Sequence, residues 1–148
     1  MKNTMNEKFP EEGFNLRESK DADSYSVMMV NEALKGYKFK PEFPWLLYFD
    51  IEIKETTEKY ALPNEVETKV LNDLEDKFSD IIKSTVSGHF IGRITGNGHR
   101  ELFFYVEAPE EIHERLQELV NDKHQIREWE YSLEEDPDWS NVDFFFDY

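Results

Sequence analysis

The sequence predicts an α+β domain: a ferredoxin-like β-α-β-β-α-β plait with an additional N-terminal strand and a C-terminal aromatic tail. Three observations predict it. Residues 45–54 begin fully apolar and then alternate, and Leu102, Phe104 and Val106 share one face of 99–107, as in strands that lay one face on a core. Apolar residues recur at spacings of three and four over 64–83, the period of a helix with one buried side. Between two strand-like runs stands Gly96-Asn97-Gly98, whose Asn-Gly step favours the primed turn of a tight hairpin.

Taken in order, residues 1–23 are mostly polar and read as a poorly ordered lead-in, with a short edge strand around 12–17; the domain proper is 24–148. Residues 25–30, Tyr-Ser-Val-Met-Met-Val, are the first strong strand and would add to the sheet at an edge. Gly36, Pro41 and Pro44 break the chain before Trp45. In the next strand Leu47, Phe49, Ile51 and Ile53 share one face, and Tyr48, Asp50, Glu52 and Lys54 share the other. Pro63 and Asn64 open the first helix, with Glu65 and Glu67 at its positive end and Lys83 at its negative end. Its expected buried stripe is Val66, Val70, Leu74, Phe78 and Ile81, widened by Leu71 and Ile82. The hairpin 85–95/99–107 follows, with Leu102, Phe104 and Val106 on one face and Glu101, Phe103 and Tyr105 on the other. A second helix begins near Pro109 and buries Ile112, Leu116 and Leu119 or Val120. Residues 126–133 close the unit as a strand that alternates Arg127, Trp129, Tyr131 and Leu133 with Glu128, Glu130 and Ser132. Right-handed crossovers place the first and third strands of the four at the centre, with both helices on the face of Leu47, Phe49, Ile51, Leu102 and Phe104.

Charge is laid out unevenly. Residues 101–148 carry fifteen acidic and three basic side chains, a net of −12, whereas residues 1–100 sum to −4. Such a field repels nucleic acid and anionic membranes and attracts a basic protein surface. Aromatic content of 15% separates the chain from a disordered polyanion. Cysteine is absent, which fits a reducing compartment. The first eight residues hold no apolar run of the signal-peptide kind, and no stretch approaches the length of a membrane span. The expected location is the cytoplasm.

Candidate chemistry is sparse. Arg93 and Arg100 flank the Gly96-Asn97-Gly98 turn next to His99, and accessible backbone N–H groups there would make an anion site of Arg93, Asn97, His99 and Arg100. The competing reading is a hairpin whose arginines pair with strand carboxylates. His89 and His99 with Asp50 or Glu101 offer metal-ligand types, but their spacing matches no compact motif; no metal and no cofactor is expected. Glu52, Glu101, Glu128 and Glu130 lack the divided environments of an acid–base pair, and the serines have no triad context. Phe103 and Tyr105 on an outer strand face invite comparison with base-stacking aromatics, yet the surroundings are acidic rather than basic. In the tail, Asp136 can cap a short helical turn, Pro137 suits its start and Trp139 can fold back on the sheet. Phe144, Phe145 and Phe146 need cover, from the same molecule or from a partner.

Two stretches carry a family resemblance: Val30-Asn31-Glu32-Ala33-Leu34 with Phe43-Pro44-Trp45-Leu46, and Asp136-Pro137-Asp138-Trp139 after Trp129-Glu130-Tyr131. With Gly98-His99-Arg100-Glu101-Leu102-Phe103-Phe104-Tyr105 between them, the chain resembles the domain-of-unknown-function family 695 (DUF695) over about residues 24–148. The resemblance implies a small α+β domain and supplies no catalytic residues. A looser similarity in layout, to the bacterial ribonuclease E inhibitor B, implies an acidic plait that binds an enzyme. The expected function is a non-catalytic acidic protein-binding or regulatory module with a basic partner. Its interaction surface is drawn from Phe103, Tyr105, Glu128, Glu130, Glu134, Glu135, Trp139, Phe144, Phe145 and Phe146. The alternatives are a small-anion-binding protein or enzyme centred on Arg93, His99 and Arg100, and a homodimer.

Overall fold

A computed structural model describes residues 7–21 and 23–147. Six strands, β1 (Phe14–Lys20), β2 (Tyr25–Asn31), β3 (Trp45–Glu52), β4 (Gly88–Gly96), β5 (His99–Val106) and β6 (Trp129–Glu135), form one sheet in the order β1-β2-β4-β5-β3-β6. Every neighbouring pair is antiparallel. Helices α1 (Glu65–Thr85) and α2 (Glu110–Val120) connect β3 to β4 and β5 to β6. β3 and β5 are central, as the crossover rule requires. The strand expected around 12–17 is the seven-residue β1, so the sheet begins within the segment read as a lead-in. Because β1 takes the edge, β2 is an inner strand between β1 and β4.

The β4–β5 hairpin turns through Asn97 (φ 53°) and Gly98 (φ 86°), the two left-handed positions of the primed turn that Asn-Gly favours. Both turn N–H groups are occupied: Asn97 donates to the Tyr60 carbonyl at 3.2 Å and Gly98 to that of Ala61 at 3.0 Å. The loop between β3 and α1 therefore lies against the hairpin tip. A β-bulge falls between Phe90 and Gly92. There a Cβ on Gly92 would stand 2.3 Å from the Met29 carbonyl oxygen and 2.9 Å from the Phe145 ring, so close packing of backbone and aromatic demands glycine.

Both helices lie on one face of the strip β4-β5-β3-β6, over Leu47, Phe49, Ile51, Leu102, Phe104 and Val106. Phe78 is fully buried and stacks on Phe49 with centroids 4.3 Å apart. Asn64 caps α1 by accepting the Glu67 N–H at 2.9 Å. The buried stripe differs from the expected one. Glu67, Leu71, Leu74, Phe78 and Ile82 face inward, while Val66 is 68% exposed.

The reason is an ion pair that apolar periodicity does not see. The Glu67 carboxylate, 0% exposed, receives two bonds from Arg127 Nε at 2.9 and 3.1 Å and another from Arg127 Nη2. It also accepts the Lys54 N–H at 2.7 Å. The Arg127 hydrogen bonds hold the Glu67 carboxyl below its ordinary range against the opposing effect of burial. β6 accordingly starts at Trp129 rather than 126, because Arg127 reaches back to α1 instead of alternating within the strand.

Removing the guanidinium leaves a buried carboxylate uncompensated. Arg127→Ala is expected to lower unfolding free energy by about 3–5 kcal/mol, measured by urea denaturation, with part of the loss recovered when Glu67→Gln is added. A single variant of wild-type stability would place Glu67 in water.

Candidate functional site

The second face of the sheet decides which side chains are available for function. It is covered by two segments: residues 32–43, with 3-10 turns at Glu32–Leu34 and Lys40–Glu42, and Trp139 with the 3-10 helix Ser140–Phe146 that it caps. Leu34, Tyr37 and Phe43 from the first, and Trp139, Val142 and Phe145 from the second, bury Val30, Leu46, Ile91, Phe103 and Tyr105. Asn31, 3% exposed, fixes the first segment: its Oδ1 accepts the N–H of Gly13 at 3.2 Å and of Ala33 at 3.3 Å, and its Nδ2 donates to the Phe90 carbonyl at 3.2 Å.

Asp136 fixes the second. Its carboxylate accepts the Tyr105 hydroxyl at 2.5 Å, the Asn141 N–H at 3.0 Å, and the Ser140 hydroxyl and N–H at 2.8 and 3.2 Å. Burial pushes this carboxyl up, but the hydrogen bonds from Tyr105, Asn141 and Ser140 outweigh it and hold it below the ordinary aspartate value. Trp139, 1% exposed and left-handed at φ 58°, lies between Tyr105 (4.5 Å) and Tyr37 (5.2 Å) in near-parallel stacks. Its indole N–H donates to the Phe43 carbonyl at 2.9 Å. The two segments are thereby tied to each other as well as to the sheet.

Four residues expected at an interaction surface are therefore interior: Phe103, Tyr105, Trp139 and Phe145 are buried against one another. Phe146 is half-buried, and Phe144 is 42% exposed beside Phe103. Val142 is fully buried. Its place on the inward side of a 3-10 turn has no apolar periodicity to announce it.

The arginine–histidine cluster does not converge. Arg93 points to the helix side, where Nη1 contacts both Glu75 oxygens at 3.0 and 3.1 Å. Arg100, 3% exposed, joins it there, donating to Thr95 Oγ1 at 3.1 Å and Asn72 Oδ1 at 2.7 Å. Burial and the neighbouring Arg93 lower its guanidinium to about 10, which still leaves it charged at neutral pH. His99 is the next residue on β5 and so faces the opposite side, with Nδ1 2.8 Å from Asp50 Oδ1. Asn97 sits at the turn, its N–H already taken. These four residues are structural links between elements, held on two faces of the sheet.

His89, on β4, lies opposite Tyr105, towards the end of β5 away from His99. It packs against Phe9, Phe43 and Tyr37, with Nε2 3.0 Å from the Tyr37 hydroxyl. Among the described residues no group of three or more His, Asp or Glu side chains is disposed to hold a metal ion, and no helix is long and apolar enough to cross a membrane.

What does converge is carboxylate. Asp50 pairs with Glu130 across β3 and β6, and the Glu52 N–H donates to the Glu128 carbonyl beside them. Asp50, Glu52, Glu128 and Glu130 share a shallow depression with His99 and Trp129. Glu134 lies further along β6 on the face of Glu130. The Glu52 carboxyl is raised, first by its hydrogen bond with the Glu128 carboxyl and then by that group's charge. Glu101 is held by the Tyr48 hydroxyl at 2.6 Å. Among the described residues no lysine or arginine lies within ion-pair distance of Glu52, Glu128, Glu130, Glu134 or Glu135. The negative row is therefore solvent-facing and uncompensated.

Two measurements check this account of the second face. Trp139→Ala empties a large buried site and is expected to cost about 3–5 kcal/mol; an unchanged denaturation midpoint and slope would show that the tail is not packed. Burial lowers His89 from 6.5 to about 4, so the unfolded chain binds a proton that the folded one refuses. Stability should be full above the unfolded value and fall as pH drops through that interval. His89→Gln should remove the part of this slope due to His89, so that wild type loses stability relative to the variant as pH is lowered from neutrality toward 5.

No curated protein and no solved structure matches the chain. One family model does, over residues 18–148, from within β1 through the aromatic tail. That span takes in the Asn31 knot, the hairpin and the Asp136 clasp, and by it the chain belongs to the family of unknown function DUF695.

Proposed function

We propose that this domain is an acidic protein-binding module that engages a basic partner surface and performs no catalysis of its own. The observation that carries the reading is the row Glu52, Glu128, Glu130 and Glu134 along the β3–β6 edge, without a lysine or arginine partner among the described residues and beside an Asp50 that pairs with His99. Like charges crowd this sheet edge, and the Glu52 carboxyl is raised first by its hydrogen bond with Glu128 and then by that group's charge; a basic partner relieves the repulsion and is steered inward by the field. The most deeply buried ionic groups, Glu67, Arg100 and Asp136, are consumed in internal contacts, which favours binding over acid–base chemistry. The ferredoxin-like plait is the fold we assign to the four-stranded unit. The order β4-β5-β3-β6, with both helices on one face, supports it. The layout similarity to an acidic inhibitor that binds an enzyme points the same way.

Reversing Glu128, Glu130, Glu134 and Glu135 to Lys together tests the reading. All four are exposed, so the variant should keep its circular dichroism and unfold within about 1 kcal/mol of wild type. It should slow association with the native partner by roughly one to two orders of magnitude at low salt, with the gap closing as salt rises. Salt-graded pull-downs read the outcome: basic proteins retained by wild type should be lost by the variant. Retention of the same proteins at the same salt tolerance would mean that the edge is only a solvated surface.

A further inference from the structure

The sheet is two strands wider than its helix layer. α1 and α2 cover β4-β5-β3-β6, whereas β1 and β2 extend beyond them. On the extension, Leu16 pairs with Met29 and Met29 with Arg93, and Glu18 pairs with Val27 and Val27 with Thr95. Directly paired residues share a face, and Arg93 points to α1, so Phe14, Leu16, Val27 and Met29 present the helix-side face together with the exposed Glu18. The opposite face of the same strands is covered: Val30 is fully buried and Met28 packs with it against the aromatic cluster, and Arg17 donates to the Phe145 carbonyl. On the helix side Leu16 is 64% and Phe14 48% exposed. A groove of about 750 Å³ runs there between α1 and the extension, with Phe14, Met29 and Phe90 on its floor and Ile82 on its wall. Asp76 and Asp80 of α1 and Glu12 rim it, all exposed, with Lys83 at one end.

We propose that this groove seats an amphipathic α-helix of a partner protein. Its apolar stripe would rest on Phe14, Leu16 and Met29, and its Lys/Arg flank would lie beside Asp76 and Asp80. Shape and charge both select this occupant. Two strands about 4.8 Å apart make a strip about 10 Å wide, which is the width of one helix. The seven residues of β1 span about 24 Å, enough for a helix of about sixteen residues. Of the four carboxylates lining the groove, Glu75 is paired with Arg93, and the exposed Glu12, Asp76 and Asp80 stand against one lysine, which favours a basic flank over an acidic one. The groove lies at the opposite edge of the sheet from the β3–β6 carboxylate row, and its assignment rests on separate observations.

The probe is a fluorescein-labelled Leu/Lys amphipathic helix of about sixteen residues, set against a Leu/Glu helix with the same apolar stripe. By fluorescence anisotropy the Leu/Lys peptide should bind the full chain saturably and the Leu/Glu peptide at least about tenfold more weakly. Leu16→Asp, and separately Asp76→Lys with Asp80→Lys, should each weaken the Leu/Lys peptide by about tenfold or more. All three positions are exposed, so these variants should fold, which circular dichroism checks. The fourfold reversal on β6 should change affinity by no more than about threefold, through its long-range field alone, so that the two proposals fail separately. Backbone amide shifts should move at Met29, Asp76 and Asp80. Wild-type affinity in both groove variants, equal binding of the two peptides, or a dimer of the free chain abolished by Leu16→Asp would overturn the proposal, the last by showing a second copy as the occupant.

Discussion

The second layer of this fold depends on one carboxylate. Asp136 gathers a hydroxyl from β5 and three donors from the turn that follows it, and in doing so aims Trp139 at the sheet. An unpaired carboxylate in that position would cost several kcal/mol; fully bonded, it sets the left-handed turn at Trp139 and the direction of the 3-10 helix. Tyr105 is both the floor on which the indole stacks and a donor to the carboxylate. Aromatic packing and hydrogen bonding therefore constrain the same few atoms. Tyr37 and the Phe43 carbonyl, reached by the same indole, extend the constraint to the segment between β2 and β3.

The first layer has its own polar anchor in Glu67 and Arg127, and the comparison shows how the domain sorts its charges. Four of its five arginines tie elements together: Arg17 to the Phe145 carbonyl, Arg93 and Arg100 to α1, and Arg127 to Glu67. Guanidinium suits this role, since its planar fork satisfies several acceptors at once and is less strongly hydrated than ammonium. Arg93 and Arg127 take Glu75 and Glu67 inward with them, and these pairs leave the net −16 unchanged. The negative field along β3 and β6 comes from the carboxylates that stay at the surface without a lysine or arginine partner.

Period-two and period-3.6 patterns made the helices, the central strands and their shared face legible, because burial of one face writes itself directly into residue type. The Asn-Gly turn was legible for the same local reason. Three features were not. Glu67 occupies an inward position that periodicity gave to Val66, because its partner is sixty residues away in sequence. The arginines flanking the hairpin turn look like an anion site until strand register shows that His99 must face the other way. β1 carries Arg17, Glu18 and Lys20 among its seven residues, a composition that reads as solvated chain but suits an edge strand needing protection against further pairing. The carboxylate row was visible as composition; its convergence on one edge required the β3–β6 register.

The Asp136 clasp also sets the order in which the molecule can become complete. Every described strand precedes residue 136 in sequence, so the six-stranded sheet, its helix layer and the cover from residues 32–43 can form while the part of the apolar face that Trp139, Val142 and Phe145 close still lies open. During vector-wise synthesis that part stays wet until residues 136–145 have left the ribosome and can fold back. An interval of exposed aromatic surface is one that chaperones recognise and in which chains aggregate.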